Sequence, residues 1–523
     1  MVHLSPLTIS SLQSSAGTSW RANALPRLSL ATLRGLPSTV RRPGFDVAAL
    51  RPGILHLGCG AFHRAHQAVF TQRAIEAKPA ATPPAWGIVS ASLQHSTMRD
   101  ALQPQDGLYT VLERGPHGAG ATVIGTLSDI AFAQDDPFAL LARFTDPAIR
   151  LVTLTVTSSG YCLDSATERL AAHHPDIQRD LHASLPTSAL GILVGGLARV
   201  HKAGRRPPVV MSCDNLPRNG RVLRQAAVDY AALFDDELAG WIASSVQFPC
   251  SMVDRITPAT TEADMTDAAE TLGVFDAAPV CTEPFRQWVI EDFAGPRPAW
   301  EVAGAEFVPD VTPWEASKLR LLNGTHMAIA YLGSLAGLQT VAEFLEDPVF
   351  AAYALRFMLT EQRPTLPPSR HDIDAYAHQL LQRWRNPDIA HQLSRVGRNG
   401  SEKLQPRLLA SVQENLEAGR SAPCTLLAVA AWICCASERV GHGHAAETQD
   451  PLIERMHALG AAAGNDAERL TALALEMEDV FGCYLPRVEA FRTDLTQAVG
   501  NLQRKGPRAA IAALLADSNQ DLR

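Results

Sequence analysis

A short apolar run that leads directly into two glycines is the feature that most limits the folds open to this chain. The run is ILHL at 54–57, GCG follows at 58–60, and the next segment has helical periodicity through Phe62, Ala65 and Val69. In dinucleotide-binding folds a strand, a glycine turn and a helix follow in this order, and the glycines let the backbone approach a pyrophosphate at the helix N-terminus. The pattern therefore predicts an α/β fold with an N-terminal Rossmann-type domain.

The residues at this turn are the predicted cofactor site. The usual third glycine of the motif is replaced by His63. His63, Arg64 and His66 are candidates to contact phosphate or substrate, and the alternative is that they are surface residues of a first helical turn. No thiol or carboxylate completes a metal set with the two histidines at a convincing spacing. The predicted cofactor-binding residues are Gly58, Gly60, Ala61, Phe62, His63 and Arg64.

The second predicted strand, Trp86 to Ala91, bears on the choice of cofactor. An acidic residue after this strand usually binds the adenosine ribose of NAD. Here the segment at 92–95 is SLQH, and the first acidic residue after it is Asp100. NAD is the expected cofactor, and NADP is not excluded.

Two further apolar runs, at 151–157 and 208–213, each end in a polar cluster. Ligands of open α/β sheets bind outside the carboxyl ends of the strands. Asn215 follows the second run, so it is a candidate amide donor to a substrate oxygen. The alternative is an Asx-type turn before a helix near Val222.

The segment from Thr312 to His326 carries a second candidate site. A capping pattern at Thr312 predicts the start of a helix. At roughly 100° per residue, Lys318, His326 and Asn323 fall near 0°, 80° and 140° around the helix axis. They therefore lie on one side of the helix, among leucines. An ammonium, an amide and an imidazole in such a setting are able to transfer a proton and polarise a carbonyl oxygen. The alternative is a half-buried helix face with an incidental histidine.

Length and composition set the domain plan. The chain has 523 residues, of which 46% are hydrophobic and 19% charged, as in globular proteins of more than one domain. Helical patterns dominate after residue 313. We therefore predict a flexible extension at 1–26, a Rossmann-type domain at 27–309 and a mostly helical domain at 310–523.

Charge and cysteine content exclude several classes of function. The net charge of -8 gives no electrostatic reason to bind nucleic acid or an anionic membrane. The nine cysteines are scattered and include no C-x-x-C pair, so neither a disulfide framework nor a zinc knuckle is indicated. No apolar run is long enough for a signal peptide or a membrane span. We expect a cytoplasmic protein, and the sequence leaves its oligomeric state open.

Six segments together resemble the polyol-specific long-chain dehydrogenase/reductase family, also known as the mannitol dehydrogenase family. They are GCGAFHRAHQ at 58–67, TVTSSGYC at 155–162, SCDNLPRNG at 212–220, FPCSMVDRITPATT at 248–261, EPFRQWVIED at 283–292 and KLRLLNGTH at 318–326. The resemblance implies a zinc-independent, NAD-dependent secondary-alcohol dehydrogenase. It assigns the catalytic K-x-x-x-x-N-x-x-H signature to Lys318, Asn323 and His326, and the substrate asparagine to Asn215. The usual TEKGY of the family is here TSSGY.

The substrate expected from the resemblance is a sugar acid or a polyol. The segments at 283–288 and 400–407 favour reduction of D-fructuronate to D-mannonate, with mannitol and fructose as the alternative pair. Arg286 and Lys403 are the candidates to bind a substrate carboxylate. The alternative for Arg286 is a bracing ion pair with Glu283 or Glu291. A sugar-phosphate dehydrogenase, or a non-catalytic nucleotide-binding protein on the same fold, are the rival functions.

Overall fold

A computed structural model describes residues 25–77, 85–115, 118–164, 167–388, 391–437 and 450–517. The chain divides between Val311 and Thr312 into two compact units. The predicted extension lies outside the described residues up to position 24. The predicted domain limits at 309 and 310 stay a prediction.

A five-stranded sheet in which all neighbours are parallel forms the centre of the first unit. Its strand order is β6-β3-β2-β7-β8, so the order reverses at β2. The carboxyl ends of β2 and β7 therefore lie side by side at the reversal, where such sheets bind ligands. The five strands are β2 (Pro52–Leu57), β3 (Gly87–Ser92), β6 (Leu127–Phe132), β7 (Leu151–Leu154) and β8 (Val209–Ser212).

Two smaller mixed sheets complete the strands of this unit. One has the order β1-β5-β4-β10, and the other has the order β12-β11-β9. Their strands are β1 (Val40–Arg41), β4 (Tyr109–Gly115), β5 (Gly118–Ile124), β9 (Ser251–Asp254), β10 (Val280–Thr282), β11 (Gln287–Glu291) and β12 (Glu306–Val308).

Helices cover the central sheet, and the strands β2, β3, β7 and β8 are buried along almost all of their length, whereas β6 is partly buried. Apolar residues of β2, β3, β7 and β8 contribute to two hydrophobic clusters, as expected for parallel strands buried on both faces. The helices of this unit are α1 (Leu30–Leu33), α2 (Ala61–Ala65), α3 (Gln67–Glu76), α4 (Thr97–Leu102), α5 (Pro137–Arg143), α6 (Pro175–His182), α7 (Ala189–Lys202), α8 (Asn219–Ala232), α9 (Asp236–Ser245) and α10 (Glu262–Leu272).

The described part of the second unit is almost entirely helical. Its centre is the apolar helix α19, whose residues from Cys424 to Ser437 are all buried. The α-helices are α11 (Thr312–Ser317), α12 (Thr325–Leu335), α13 (Val341–Glu346), α14 (Pro348–Arg356), α15 (Ile373–Trp384), α16 (Leu393–Val396), α17 (Gly400–Leu404), α18 (Ala410–Glu417), α19 (Pro423–Ser437), α20 (Ile453–Ala463), α21 (Ala467–Leu475), α22 (Glu478–Phe481) and α23 (Glu489–Asp517). The last of these contains a break at Gly506, before Pro507.

Three segments of the second unit are π-helical. They are π1 (Lys318–Gly324), π2 (Phe357–Gln362) and π3 (Gln405–Leu409), and they lie against one another at Gly324. A Cβ atom on Gly324 would lie 3.1 Å from the carbonyl oxygen of Arg407 and 3.6 Å from the ring of Phe357. Such wide turns are rare in proteins, and those that occur are often found at functional sites. Among the described helices of the chain, none combines the length and apolar character needed to cross a membrane.

Candidate active site

The glycine turn after β2 has the geometry that close approach of its backbone to a pyrophosphate requires. Gly58 has a φ of 109°, and a Cβ atom there would lie 2.2 Å from the carbonyl oxygen of Thr155. Only glycine therefore fits between the ends of β2 and β7. Gly60 precedes α2, is exposed, and has no atom within 4 Å of the position of a Cβ. The space above Gly60 is open, as a bound pyrophosphate needs.

The side chains that follow the turn correct one expectation from the sequence. His63 and Arg64 are buried, so they are neither surface residues nor placed to contact a phosphate with their side chains. Arg64 donates to the carbonyl of Ala278 at 2.5 Å. The ring of His66 is also buried and lies 2.9 Å from the carbonyl oxygen of Gln287. Ala61 and Phe62 are half-buried, and any binding by this turn falls to them and to the backbone.

A buried histidine below the turn, His56, fixes the orientation of the Gly58 peptide. Its Nε2 atom lies 2.9 Å from the Gly58 carbonyl oxygen, and its Nδ1 atom lies 2.8 Å from Thr153 Oγ1. A carbonyl oxygen only accepts, so Nε2 carries the proton and Nδ1 accepts from the Thr153 hydroxyl. Burial lowers the pKa of His56 to about 3, so the ring is neutral near pH 7.

The hydrogen bonds continue from Thr153 to Gln67 at the start of α3. Gln67 Nε2 donates to Thr153 Oγ1 at 3.0 Å, and Gln67 Oε1 lies 3.0 Å from His63 Nδ1. His63 therefore donates from Nδ1, and its ring stacks on that of His56 at 3.4 Å. We call His56, Thr153, Gln67 and His63 the histidine chain. It links the helix that follows the glycine turn to the carbonyl group of that turn.

A buried carboxylate ties together the carboxyl ends of β7 and β8. Asp214 accepts from the backbone N–H groups of Thr157 at 2.8 Å and Val156 at 3.2 Å, and from the Tyr161 hydroxyl at 2.8 Å. Thr157 has a φ of 64° and a ψ of 167°, a region of backbone space that essentially only glycine occupies freely. Burial raises the pKa of Asp214, and these three hydrogen bonds oppose that rise.

Asn215, the predicted amide donor, is exposed immediately after this carboxylate. Asp214 bonds across to the end of β7, and the alternative of an Asx-type turn in this cluster stays a prediction. Asn219 begins α8 and is buried. Its side chain donates to the Asp214 carbonyl and accepts from Ser251 N at 2.9 Å. These bonds hold the loop that carries Asn215.

The loop after β3 contains no carboxylate at the expected place. Ser92 is buried, and Gln94 and His95 are exposed. The carboxylate of Asp100 lies on α4, where it accepts from Ser96 at 2.7 Å and from Arg99 at 2.6 Å. The structure thus leaves the choice between NAD and NADP where the sequence left it.

The three signature residues of the second unit lie on one continuous helical stretch. Lys318 is buried, Asn323 is half-buried, and His326 is buried in the first turn of α12. The helix begins at Thr312, as predicted, but the segment from Lys318 to Gly324 is π-helical and not α-helical. The predicted angles were therefore wrong. Because a π-helix closes its hydrogen bonds from i to i+5, Asn323 lies slightly more than one turn above Lys318.

Aromatic rings and cations surround His326. Its ring centre lies 4.8 Å from that of Trp384 and 4.8 Å from that of His391. Burial lowers the pKa of His326 well below its ordinary value, and His391, Arg383 and Arg407 lower it further. The imidazole is therefore neutral near pH 7. Its buried Nε2 atom has no hydrogen-bond partner among the described residues, so it is available to a ligand.

A set of basic groups, which we call the cationic cluster, consists of Arg383 and Arg407 near His326 and Lys403 near Arg407. Lys403 donates to the carbonyl of Arg398. Burial lowers the pKa of Lys403, and Arg407 lowers it further. Burial also lowers the pKa of Arg407 to about 10, with the phenol of Tyr331 opposing. Within the part of the chain that the structure describes, no carboxylate forms an ion pair with Arg407.

Arg286 lies in the first unit, with its guanidinium 5.6 Å from the centre of the Phe70 ring. The bracing pairs expected for it do not form, because Glu291 pairs with Arg221 and Glu283 accepts from the backbone of Ile256. Burial lowers the pKa of Arg286 to about 10, and Arg73 and Arg255 lower it further. A role for Arg286 in binding a substrate carboxylate stays a prediction.

Comparison with known proteins places this geometry in a family. Residues 52–302 match the mannitol dehydrogenase Rossmann domain, and residues 310–503 match the mannitol dehydrogenase C-terminal domain. The chain belongs to the mannitol dehydrogenase family. It is an oxidoreductase of this family, and the predicted fold class, a Rossmann-type domain followed by a mostly helical domain, is confirmed.

A D-mannonate oxidoreductase and a mannitol 2-dehydrogenase have the same sequence identity to this chain. The D-mannonate oxidoreductase of Escherichia coli is 39% identical over 91% of this chain and 98% of its own length. The mannitol 2-dehydrogenase of Aspergillus clavatus is 39% identical over 88% of this chain and 92% of its own. The structure of Pseudomonas fluorescens mannitol 2-dehydrogenase with NAD and D-mannitol is 37% identical, with a TM-score of 0.82 over 94% of this chain and 99% of that one.

Sequence reasoning missed several residues that build the two sites. His56 lies inside a buried strand, where a histidine gives no functional signal by itself. Asp214 was mentioned only as part of a possible turn. Arg407 lies in the basic segment that drew attention to Lys403, and the absence of an ion pair is what distinguishes it.

Proposed function

We propose that this protein is an NAD-dependent oxidoreductase that interconverts D-fructuronate and D-mannonate. The observation that carries the choice of substrate is the cationic cluster beside His326, in which Arg407 is half-buried without a carboxylate partner among the described residues. Both substrates carry a carboxylate, and a guanidinium binds a carboxylate through two parallel hydrogen bonds. A neutral polyol gains nothing from this group.

The residues of the glycine turn fit the cofactor. Gly58 allows close approach of the backbone, and the space at Gly60 is open. We assign NAD binding to Gly58, Gly60, Ala61 and Phe62, with the backbone of His63 and Arg64. When bound, NAD would supply the hydride acceptor for oxidation of the substrate, and its reduced form, NADH, would supply the hydride donor for reduction.

In the proposed mechanism Lys318 is the general acid and base. During reduction its ammonium group donates a proton to the carbonyl oxygen of the substrate, and during oxidation its neutral amine removes the hydroxyl proton. A solvated lysine stays protonated near pH 7, so the role needs a buried setting, and Lys318 is 8% exposed. We propose that Asn323 donates a hydrogen bond to the same oxygen, and that His326 orients the substrate through Nε2. Asn215, after β8 in the first unit, stays the second candidate amide donor.

Interconversion of mannitol and fructose is the second candidate. The observation that favours it is the similarity to several mannitol 2-dehydrogenases, which equals the similarity to the D-mannonate oxidoreductase. Lys318, Asn323 and His326 serve either reaction. Their joint presence counts against a non-catalytic nucleotide-binding protein.

A substrate panel tests the proposal. The purified chain is assayed with D-fructuronate, D-tagaturonate, fructose and mannitol, each with both nicotinamide cofactors. We expect the highest kcat/KM for D-fructuronate. An outright preference for fructose and mannitol would replace the proposal with the second candidate.

A pair of arginine variants tests the role of the cluster. A hydrogen bond to a charged group is worth about 1.5 to 3 kcal/mol, so Arg407→Met should lower kcat/KM for D-fructuronate roughly 10- to 150-fold. Activity on fructose should change little. Arg286→Met is the matched variant in the first unit, and a selective loss there instead would assign the carboxylate to Arg286.

A further inference from the structure

A thiol, an imidazole and a carboxylate converge in the first unit on residues that the proposed mechanism does not use. The ligand atoms of Cys162, His174 and Asp176 all lie within 4.8 Å of one another. Among the described residues this is the one such group of three. Cys162 follows the short 3₁₀ turn Ser158–Tyr161 after β7, and the other two residues lie at the start of α6.

Rigid backbone contacts hold the three residues together. Cys162 is buried, with a left-handed φ of 50°. Its carbonyl accepts from Ala171 N at 2.8 Å, and the carbonyl of Ala171 accepts from His174 N at 2.8 Å. These two bonds set the distance between the thiol and the imidazole without any contact between the side chains themselves.

The nitrogen and oxygen donors are spaced close to what a tetrahedral ion needs. His174 Nδ1 lies 3.9 Å from Asp176 Oδ2. With bonds of about 2.0 to 2.3 Å, the ligand atoms of tetrahedral zinc lie roughly 3.3 to 3.6 Å apart, so a closure of about half an ångström is enough for this pair. The other oxygen of Asp176, Oδ1, binds Arg179 at 2.6 Å, which holds the carboxylate with Oδ2 towards His174.

Access and chemistry also fit. Cys162 is 3% exposed, whereas the His174 and Asp176 side chains are 36% and 37% exposed, so the group opens to solvent on one side. Sulfur, nitrogen and oxygen together are a borderline donor set, which favours Zn²⁺ over Mg²⁺ or Ca²⁺.

We propose that Cys162, His174 and Asp176 form a binding site for one Zn²⁺-class ion, with its fourth position open to water. Binding forms three bonds from the metal to sulfur, nitrogen and oxygen. The Cys162 thiol releases its proton to solvent. His174 Nδ1 exchanges the 3.2 Å bond that it accepts from Asp176 N for the metal. No oxidation or reduction takes place. The ion would brace the loop that leads from β7 to α6.

The test measures metal content and a spectroscopic signature in the full-length protein. All variants carry Cys483→Ser, because Cys483 is the exposed thiol among the described cysteines. The protein is stripped with a chelator and dialysed against Zn²⁺, and bound zinc is measured by mass spectrometry. Co²⁺ is then substituted, because bonding of a thiolate to Co²⁺ gives a charge-transfer absorption band.

The variants separate the site from adventitious binding. Cys162→Ala removes the sulfur ligand. His174→Asn removes the imidazole and keeps a residue favoured at the helix N-cap, so α6 should stay intact. His173→Asn is the matched control, since His173 is exposed and lies outside the group.

We expect one Zn²⁺ per chain with a Kd on the order of micromolar, a thiolate band with Co²⁺, and a rise in Tm on adding Zn²⁺ in the parent and in His173→Asn. Cys162→Ala and His174→Asn should lose all three. Equal zinc content in all four proteins, binding of Co²⁺ without the thiolate band, or no zinc after dialysis would each overturn the proposal.

Discussion

Replacing Asp214 by asparagine should loosen the carboxyl ends of β7 and β8. The carboxylate accepts three hydrogen bonds there, from Thr157, Val156 and Tyr161. The amide of asparagine places an NH₂ group where one oxygen accepts, so at least one buried N–H or O–H loses its partner. That loss costs about 1 to 3 kcal/mol, and the weakening of the charge-assisted bonds adds a similar amount.

Two effects reduce this cost. Burial already disfavours the ionised carboxylate, as the raised pKa of Asp214 indicates. The strained backbone of Thr157, worth about 1 to 3 kcal/mol, can relax when its anchor weakens. We therefore expect Asp214→Asn to lower the local free energy of opening by about 2 to 4 kcal/mol.

Hydrogen exchange followed by mass spectrometry measures the free energy of local opening in peptides that cover 151–164 and 209–216. Asp100→Asn is the control, because Asp100 is an exposed carboxylate whose loss should change stability by less than about 0.5 kcal/mol. Thr157→Gly isolates the strain, and the cost of Asp214→Asn should be larger in that background, because no backbone strain is then released. A change below about 0.5 kcal/mol in both peptides would refute the proposed anchoring by Asp214.

Three further outcomes are expected. Lys318→Ala should keep the fold and cofactor binding and lose about 10²- to 10⁴-fold in kcat, partly restored by small amines, and activity within a few-fold of the parent would remove Lys318 from the mechanism. With no carboxylate at 92–95, the ratio of kcat/KM for NADH over NADPH should stay below about a thousandfold, which steady-state kinetics decides. Burial lowers the pKa of His391 to about 4, of His56 to about 3 and of His326 well below 6.5. The unfolded chain therefore takes up these protons first, and the free energy of unfolding should fall as the pH drops below about 6.5, by up to about 1.4 kcal/mol per pH unit for each histidine. Denaturant titrations between about pH 7 and 4 measure this slope, and a flat profile would contradict it.

The strands of the central sheet were predictable because parallel buried strands are continuous apolar runs. The run at 54–57 lies within β2, and the runs at 151–157 and 208–213 contain β7 and β8. The loops at the carboxyl ends of these strands were less predictable. Polar residues after Leu154 and Ser212 belong to loops whose shape depends on Asp214, a contact between segments far apart in sequence.

The helical parts show the limits of periodicity. A single helix was predicted after the glycine turn, whereas the chain breaks at His66, which has a φ of -116° and a ψ of -85°. Local periodicity is the same on both sides of such breaks, and tertiary contacts decide where they fall.

The candidate site was predictable in its residues and not in its geometry. The spacing of Lys318, Asn323 and His326 identified them, but spacing carries no information on whether a helix closes its bonds from i to i+4 or from i to i+5. Burial of His63 and Arg64 was equally hidden, because an imidazole or a guanidinium in a helical pattern is more often at the surface.

The π-helical segment π1 sets how many residues separate the lysine and the asparagine of the proposed catalytic signature. At roughly 80° per residue through the wide turn, Lys318, Asn323 and His326 fall within a sector of about 80°. Removing one residue between Lys318 and Asn323 would let the chain return to ordinary α-helical closure. At roughly 100° per residue, the four remaining steps to Asn323 would cover about the same 400° as the five steps of roughly 80°, so the side chains after the deletion would keep their direction. The wide turn thus holds one residue more than an α-helix that turns through the same angle, so a single deletion in this stretch should leave the amide and the imidazole directed as they are now.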